Sequence, residues 1–236
     1  MSIAEKFEKI TDAVYEKGKK DEHNKFWDAY QDNGTRTNYQ NGFMGNMGWT
    51  KDNFYPKYDI KPVGSAIQLF YAWEVADKHT MDLSARLKEC RVVLDTSQAT
   101  SLQYAFAYVY FASIPPIDVT GLTSNSALIF GDNSNRLKTI EKLIMAETTP
   151  INSNWFRNDT GLKNLTIEGT IGQNNFNVQW SKNLTHDSLM SIINALADKS
   201  ADTSGTTWTV TLGTENIAKL TQEEYEKGTN KGWMIQ

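Results

Sequence analysis

The feature that most constrains the fold is a spacing of about 24 residues that recurs through the middle of the chain. The aliphatic residues that open successive units are Leu94, Ile117, Leu143 and Ile167. Phenylalanines within the units and aliphatic residues that close them keep nearly the same spacing: Phe106, Phe130 and Phe156, then Ile114, Ile140 and Leu165. A unit this short cannot bury its own apolar face, so the units must stack and form continuous internal ladders.

The repeat extends beyond these units in both directions. An earlier unit begins at Ile60 with Phe70 as its aromatic residue, and a degraded last unit uses Phe176 or Trp180. The longer step from Phe70 to Phe106 fits a helical insertion over residues 77–90. Four of its side chains are predicted to face inward: Met81, Leu83, Ala85 and Leu87.

Each unit also contains a short β-favouring segment that ends near Thr or Gly. These segments are VVLDTS, PIDVTG, KLIMAE and LTIEGT. We expect them to form short parallel strands, one per unit, with a polar turn after each strand. The sequence therefore predicts an α/β repeat solenoid.

The run LDTSQATSLQYAFAYVYFASIPPIDVTGLTS, followed by LIFGDNSNRLKTI, resembles leucine-rich repeats of the BspA-like type. In those repeats Asp-x-[Ser/Thr], a Thr-Ser-Leu step, an aromatic residue and a closing Leu or Ile recur at similar spacing. The resemblance covers about residues 60–185 and departs from the consensus at 125–129 and 148–155. It implies a leucine-rich-repeat solenoid, and a general β-solenoid is the alternative.

Four parts follow from this interpretation. The sequence predicts a helix over residues 1–20 and an N-terminal cap, rich in aromatic residues, Asn and Gly, over residues 21–57. It predicts the solenoid over residues 58–184 and a mixed α/β C-terminal cap over residues 185–236. The first helix carries an apolar stripe at helical spacing: Ile3, Phe7, Ile10 and Val14. This helix either packs on its own chain or serves as an assembly device.

The C-terminal cap is predicted to run helix, strand, helix and strand. Thr185 is placed to cap its first helix, and the segment TTWTVTLG alternates as a strand. A single further helix is expected over residues 214–233, in which Thr221 and Glu224 form a capping box.

Composition excludes several classes of function. The net charge of −4 and the pI of about 5.5 argue against binding to nucleic acid. No apolar run is long enough to cross a membrane, so no membrane insertion is expected. The charged residues 1–20 lack a signal-peptide core, which predicts synthesis in the bacterial cytoplasm without a signal peptide.

Neither a metal nor a cofactor is expected. Cys90 is the single cysteine, and the three histidines, His23, His79 and His186, lie far apart in the sequence. Stacking of the units would align Asp95, Asp118 and Glu168. Carboxyl groups on neighbouring units could then lie about as close together as the two that a glycosidase uses. Because Asp before Ser or Thr also forms turns, we favour a turn-forming role and predict no enzyme. A carbohydrate-active enzyme is the third hypothesis.

Nearly the whole chain is also similar to proteins encoded in phages and prophages of Gram-positive gut bacteria. The matching segments are 26–31, 33–37, 209–213, 218–221 and 231–233. The resemblance implies a virion protein near the tail tip or baseplate.

Two functions follow from these observations. In the first, the repeats recognise a host cell-surface ligand, a glycan or a protein, through exposed aromatic and amide side chains. The candidates are Tyr104, Tyr108, Tyr110, Trp155, Asn133, Asn135 and Asn154. Packing between units is an equal alternative for the tyrosines. In the second, the protein is a structural virion component, and residues 1–20 bind other virion proteins or a second copy.

Overall fold

The computed structural model describes residues 54–71 and 81–236. The predicted assembly helix with Ile3, Phe7, Ile10 and Val14, and all but the last residues of the predicted N-terminal cap, lie outside the described residues. The described part is a mixed α/β structure built from parallel sheets, and one sheet is curled into a half-barrel.

The strands in the described residues are β1 (Gly64–Ser65), β2 (Met81–Asp82), β3 (Ala99–Ser101), β4 (Phe111–Ile114), β5 (Ile117–Asp118), β6 (Thr139–Met145), β7 (Asn164–Gly169), β8 (Phe176–Asn177), β9 (Trp208–Thr211) and β10 (Trp233–Ile235). The helices are α1 (Leu83–Cys90), α2 (His186–Ala195), α3 (Thr214–Ile217) and α4 (Gln222–Asn230). Three sheets result, with orders β1-β3, β2-β4-β6-β5 with β7 also on β6, and β8-β9-β10.

Residues at equivalent positions of successive units are register partners in parallel strands. The closing positions pair as Ile114 with Ile140 and Ile140 with Leu165. The opening positions pair as Ile117 with Leu143 and Leu143 with Ile167. Parallel strands are therefore confirmed for three of the predicted segments, whereas Leu94 forms only an isolated parallel bridge to Ile60.

A column of phenylalanine rings, the phenylalanine ladder, runs through the interior: Phe70, Phe106, Phe130, Phe156 and Phe176. Its ring centroids are 5.4, 5.7, 5.4 and 5.7 Å apart from one ring to the next. Phe54 closes the first end with an edge-on contact to Phe70 at 6.4 Å. The last ring is thus Phe176, while Trp180 is half-buried.

A second column, the polar ladder, is buried beside the first and consists of Asn133, Asp159, Ser181 and Asn216. Asn133 donates through Nδ2 to the carbonyl of Phe106 at 3.0 Å, and its own N–H donates to Oδ1 of Asp159 at 3.0 Å. Ser181 donates to the carbonyl of Asp159, and Asn216 donates to that of Ser181. Buried backbone N–H and C=O groups need hydrogen-bond partners, and these side chains supply them for the turns between units.

The helical insertion is shorter than predicted, and one of its inward positions is wrong. Helix α1 buries Leu83 and Leu87, but Ala85 is exposed because it lies on the opposite side of a 3.6-residue turn. Ser84 is buried in its place and contacts the hydroxyl of Ser113 at 3.3 Å.

The C-terminal elements largely follow the sequence. Thr185 caps α2 by accepting a hydrogen bond from the N–H of Ser188, and the capping box of Thr221 and Glu224 at α4 is confirmed. The single helix predicted over residues 214–233 is wrong, because the chain forms two helices and Thr221 starts the second one.

Candidate functional site

A concave polar site lies beside the β8-β9-β10 sheet. It is an open cleft of about 310 Å³, near the lower limit for small-molecule pockets. All of its lining side chains are hydroxyls or amides: Ser153, Asn174, Asn175, Asn177, Thr207, Thr209, Thr211 and Gln236. We call it the polar cleft.

Strand alternation explains why one wall of the cleft is polar. In β9 successive side chains point to opposite faces, so Thr209 and Thr211 face the cleft while Val210 is fully buried. Trp208 shares the face of Val210, where its indole N–H donates to Asp202 and its ring lies 5.9 Å from that of Trp233. Trp208, which lies between Thr207 and Thr209 in the sequence, is therefore turned away from the cleft.

Two amides are fixed by the backbone of their neighbours. Oδ1 of Asn174 accepts the N–H of Thr209 at 2.7 Å, and Oδ1 of Asn177 accepts the N–H of Gln179 at 3.1 Å. Since the amide group is planar, these bonds also orient the NH₂ group of each side chain. Within the described residues no protein group accepts from those NH₂ groups; Asn174 is half-buried and Asn177 is 9% exposed.

The side chains that line the cleft are all uncharged. Within residues 54–71 and 81–236 no three His, Cys, Asp or Glu side chains could hold a metal ion together. The lining side chains can donate and accept hydrogen bonds to an uncharged ligand, and none of them is an acid or a base for proton transfer.

A second feature, the tyrosine trio, brings together Tyr71, Tyr104 and Tyr108. The ring of Tyr71 meets that of Tyr104 edge-on at 6.2 Å and that of Tyr108 edge-on at 5.4 Å. All three side chains are half-buried. Tyr104 and Tyr108 have left-handed backbone angles, with φ of 57° and 58°.

Asp132 holds one end of the trio. Its carboxylate accepts from Arg157 at 2.6 Å, from Asn158 at 2.7 Å and from the hydroxyl of Tyr108. Burial acts to raise the pKa of Asp132, but these hydrogen bonds outweigh it and lower that pKa. Burial and the adjacent carboxylate raise the pKa of Tyr108, so its hydroxyl stays protonated.

Two of the residues predicted to lie on a binding surface are buried, and those predictions are wrong. Trp155 is only 1% exposed, and its indole N–H donates to the carbonyl of Ser126 at 2.6 Å. Asn133 is fully buried because it belongs to the polar ladder, where it also accepts the N–H of Val109 at 2.8 Å.

The other predicted residues are distributed over separate contacts. Tyr110 is half-buried, with the guanidinium of Arg136 4.6 Å from the centre of its ring. Asn135 is exposed and accepts from Lys138, and Asn154 is half-buried next to Ser153 of the cleft. The structure thus brings Tyr104 and Tyr108 together and leaves the predicted amides apart from them.

The carboxylates considered for catalysis make local contacts. Asp95 accepts from the N–H and hydroxyl of Ser97, and Asp118 accepts in the same way from Thr120, which confirms the turn-forming role. Glu168 forms an ion pair with Lys142.

Sequence analysis missed the polar cleft. Its signal is the density of amides in GQNNFNV together with the alternating threonines of TTWTVTLG. These segments are about 30 residues apart, and only the pairing of β8 with β9 brings them side by side.

Comparison of the chain with family models, curated proteins and solved structures found no match. No helix in the described part of the chain has the length and hydropathy needed to cross a bilayer.

Proposed function

We propose that this protein is a non-enzymatic recognition module of a phage or prophage virion, and that its polar cleft binds a neutral glycan of the host surface. The observation that carries the proposal is the lining of the cleft by hydroxyls and amides alone. Sugar hydroxyls both donate and accept, and an amide side chain offers both functions in one plane. The oriented NH₂ groups of Asn174 and Asn177 match such a ligand.

Charge favours a neutral glycan over an anionic one. The cleft lining contains no cation, and the chain as a whole carries a net charge of −4. A polyanion would therefore meet weak repulsion and no paired lysine or arginine in the cleft. The association with a virion rests on the resemblance to phage-encoded proteins.

The proposal includes a BspA-like leucine-rich-repeat solenoid over residues 58–184, between an N-terminal cap at 21–57 and a C-terminal cap at 185–236. Its support is the repeated parallel register of the aliphatic positions and the regular spacing of the phenylalanine ladder. Such stacks offer extended surfaces for recognition.

Affinity electrophoresis tests the function. The protein migrates through native gels that contain soluble glucan, mannan, galactan or rhamnan, and retardation by one of these glycans is expected. The double variant Thr207→Val and Thr209→Val removes two hydroxyls without changing side-chain shape, and it should abolish the retardation.

The matched control is Thr166→Val, which removes an exposed hydroxyl from β7 outside the cleft and should leave retardation intact. The proposal fails if no neutral glycan retards the protein, or if the double variant is retarded as strongly as the unmodified chain. The same glycan, incubated with the protein, should show no increase in reducing ends.

One observation favours the second function, a structural virion component. A hollow of about 390 Å³ beside α3 and α4 is lined largely by apolar side chains, among them Ile217, Leu220 and Tyr225. Such a hollow suits a protein surface better than a sugar. Light scattering on a sizing column, with and without residues 1–20, tests this function, because an assembly helix requires an oligomer that the truncation dissociates.

A further inference from the structure

The tyrosine trio and the polar cleft lie along one edge of the molecule. Equivalent positions flank each ring of the phenylalanine ladder, and two residues before the rings of Phe106, Phe130, Phe156 and Phe176 lie Tyr104, Leu128, Asn154 and Asn174, of which Leu128 is buried. Neighbouring turns are joined by backbone hydrogen bonds, such as Tyr104 N–H to the carbonyl of Ala127 at 3.1 Å. We call this line of turns the rim.

The rim continues directly into the cleft. Phe130 donates to the carbonyl of Trp155 at 3.0 Å, which places the turn of Asn154 next along the rim. Ser153 and Asn174 then line the cleft together. The line of turns therefore leads from the tyrosine trio, past the buried Leu128, to the polar cleft.

The two features are separated by more than a single sugar can span. Three ladder steps lead from Phe106 to Phe176, and each step is close to the spacing of paired strands. At about 4.8 Å per strand, the separation is on the order of 15 Å. A ligand that touches both must be an extended chain of several sugars.

The backbone conformation at Tyr104 and Tyr108 does not by itself favour tyrosine. Left-handed φ angles also occur at the matching positions Leu128, Asp132 and Asn158, so the turn itself imposes this conformation. Asn and Asp adopt it most readily among residues with side chains, and a bulky tyrosine is disfavoured. Tyr104 and Tyr108 place two half-buried rings at such positions, both packed edge-on against Tyr71.

We infer that the ligand is a long, neutral, linear polysaccharide that lies along the rim, with one segment in the polar cleft and another against the tyrosine trio. This inference rests on the proposed function of the cleft. Tyrosine suits the second contact because its ring offers apolar surface and its hydroxyl a polar tip. Arg157 forms an ion pair with Asp132, which offsets its attraction for an anion.

The experiment measures affinity against ligand length. Each neutral polysaccharide of the electrophoresis panel is hydrolysed into size fractions, from the disaccharide to the polymer, and titrated calorimetrically against the unmodified protein and two variants. One variant combines Tyr104→Asn and Tyr108→Asn, which suit the left-handed backbone, and the other is Thr166→Val as control.

For the unmodified protein, affinity per chain should rise steeply once a fragment spans the rim. The tyrosine variant should lower the ratio of polymer to disaccharide affinity about tenfold, as expected for the loss of two ring contacts. Thr166→Val should leave that ratio unchanged. A polymer also gains apparent affinity because it offers many overlapping sites to one cleft. That gain would persist in the tyrosine variant, so the comparison distinguishes it from contacts with the tyrosine trio.

If the ratio of polymer to disaccharide affinity is the same in the unmodified protein and the tyrosine variant, the inference is overturned. In that case, binding of the disaccharide would still support the proposed function of the cleft. Failure of every fraction, polymer included, to bind would overturn both.

Discussion

The phenylalanine ladder and the polar ladder run side by side through the same turns, yet they are built in opposite ways. The first repeats one residue type, and its successive rings stay 5.4 to 5.7 Å apart. The second changes from Asn133 to Asp159 to Ser181 to Asn216, at spacings of 26, 22 and 35 residues. What it keeps constant is a hydrogen bond between its side chain and the backbone of a neighbouring unit.

The difference shows two kinds of constraint on a stacked turn. An apolar position must fill a fixed volume, and Phe does so at each level. A polar position must satisfy a backbone group, and any short side chain with a suitable donor or acceptor can serve. The first constraint conserves size, and the second conserves hydrogen-bonding capacity.

The largest effect should follow from breaking the phenylalanine ladder at its centre. Phe130 is fully buried and stacks on both Phe106 and Phe156. Phe130→Ala should lower the free energy of unfolding by about 3–5 kcal/mol, because it leaves a cavity in a closely packed column. Chemical denaturation measures this, with Phe130→Leu as a milder variant if the alanine variant does not fold. A loss below about 1 kcal/mol would mean that the rings do not form a packed column.

Breaking the polar ladder should cost slightly less. Asn133→Ala removes the partners of the Val109 N–H and of the Phe106 carbonyl. The free energy of unfolding should fall by about 2–4 kcal/mol, because buried unsatisfied groups cost about 1–3 kcal/mol each. Asn135→Ala, at an exposed amide two residues away, is the matched control. If the two variants are equally stable, Asn133 is not a structural member of the ladder.

Asp159 offers a way to sharpen the comparison by pH. Its Oδ2 has no hydrogen-bond partner among the described residues, and burial raises the pKa of the Asp159 carboxyl well above its usual range. The folded state thus favours the protonated acid. The stability it contributes is present below the unfolded pKa of about 3.9 and is lost as pH rises through the folded pKa.

Asp159→Asn places in the ladder the amide that Asn133 and Asn216 already use. It should raise the free energy of unfolding near neutral pH by about 1–3 kcal/mol, since an unsatisfied buried carboxylate is removed. It should also flatten the pH dependence between about pH 4 and neutrality. Unfolding curves for both proteins across this range provide the measurement, and parallel curves would contradict the prediction.

The smallest effect is expected at the half-buried Glu224, with the opposite sign. The N–H of Thr221 and then His186 hydrogen-bond its carboxylate and lower its pKa to about 2. Its contribution is therefore present above the unfolded pKa of about 4.3 and is lost as pH falls through about 2. Glu224→Gln should give a melting temperature slightly below that of the unmodified protein at pH 6, and the difference should close in strong acid. A difference independent of pH would argue against this origin.

These contrasts explain what the sequence predicts and what it does not. The aliphatic and phenylalanine positions are recognisable because one residue class returns at nearly constant spacing. The aliphatic positions from Ile114 to Ile167 pair in parallel strands, as the repeat predicts, and the phenylalanines stack in the turns. The sequence predicts Asn133 on a binding surface, beside aromatic residues that would suit a sugar, whereas the structure buries it. Its burial depends on a backbone carbonyl of Phe106, in the preceding unit, which no local pattern reveals.

The polar cleft was missed for a related reason. The amides near β8 and the threonines of β9 are separable clusters in the sequence, and a loop with α2 lies between them. Their register, in which Asn177 pairs with Thr211, is set by the packing of Phe176 and Val210 below. For the tyrosines the pattern was more informative, because Tyr104 and Tyr108 do share one surface.

The parallel pairing of every strand in the described residues has a mechanical consequence. Two parallel neighbours cannot be joined by a tight hairpin, so the chain travels round a full turn before it reaches the next strand. Tension on the two ends would peel turns away one after another. Each turn of about 25 residues would release roughly 80 Å of chain, while the stack would shorten by only about 5 Å. Under the proposed virion function, a particle held to a cell through such a chain would be tethered by an extensible link that yields in steps under load.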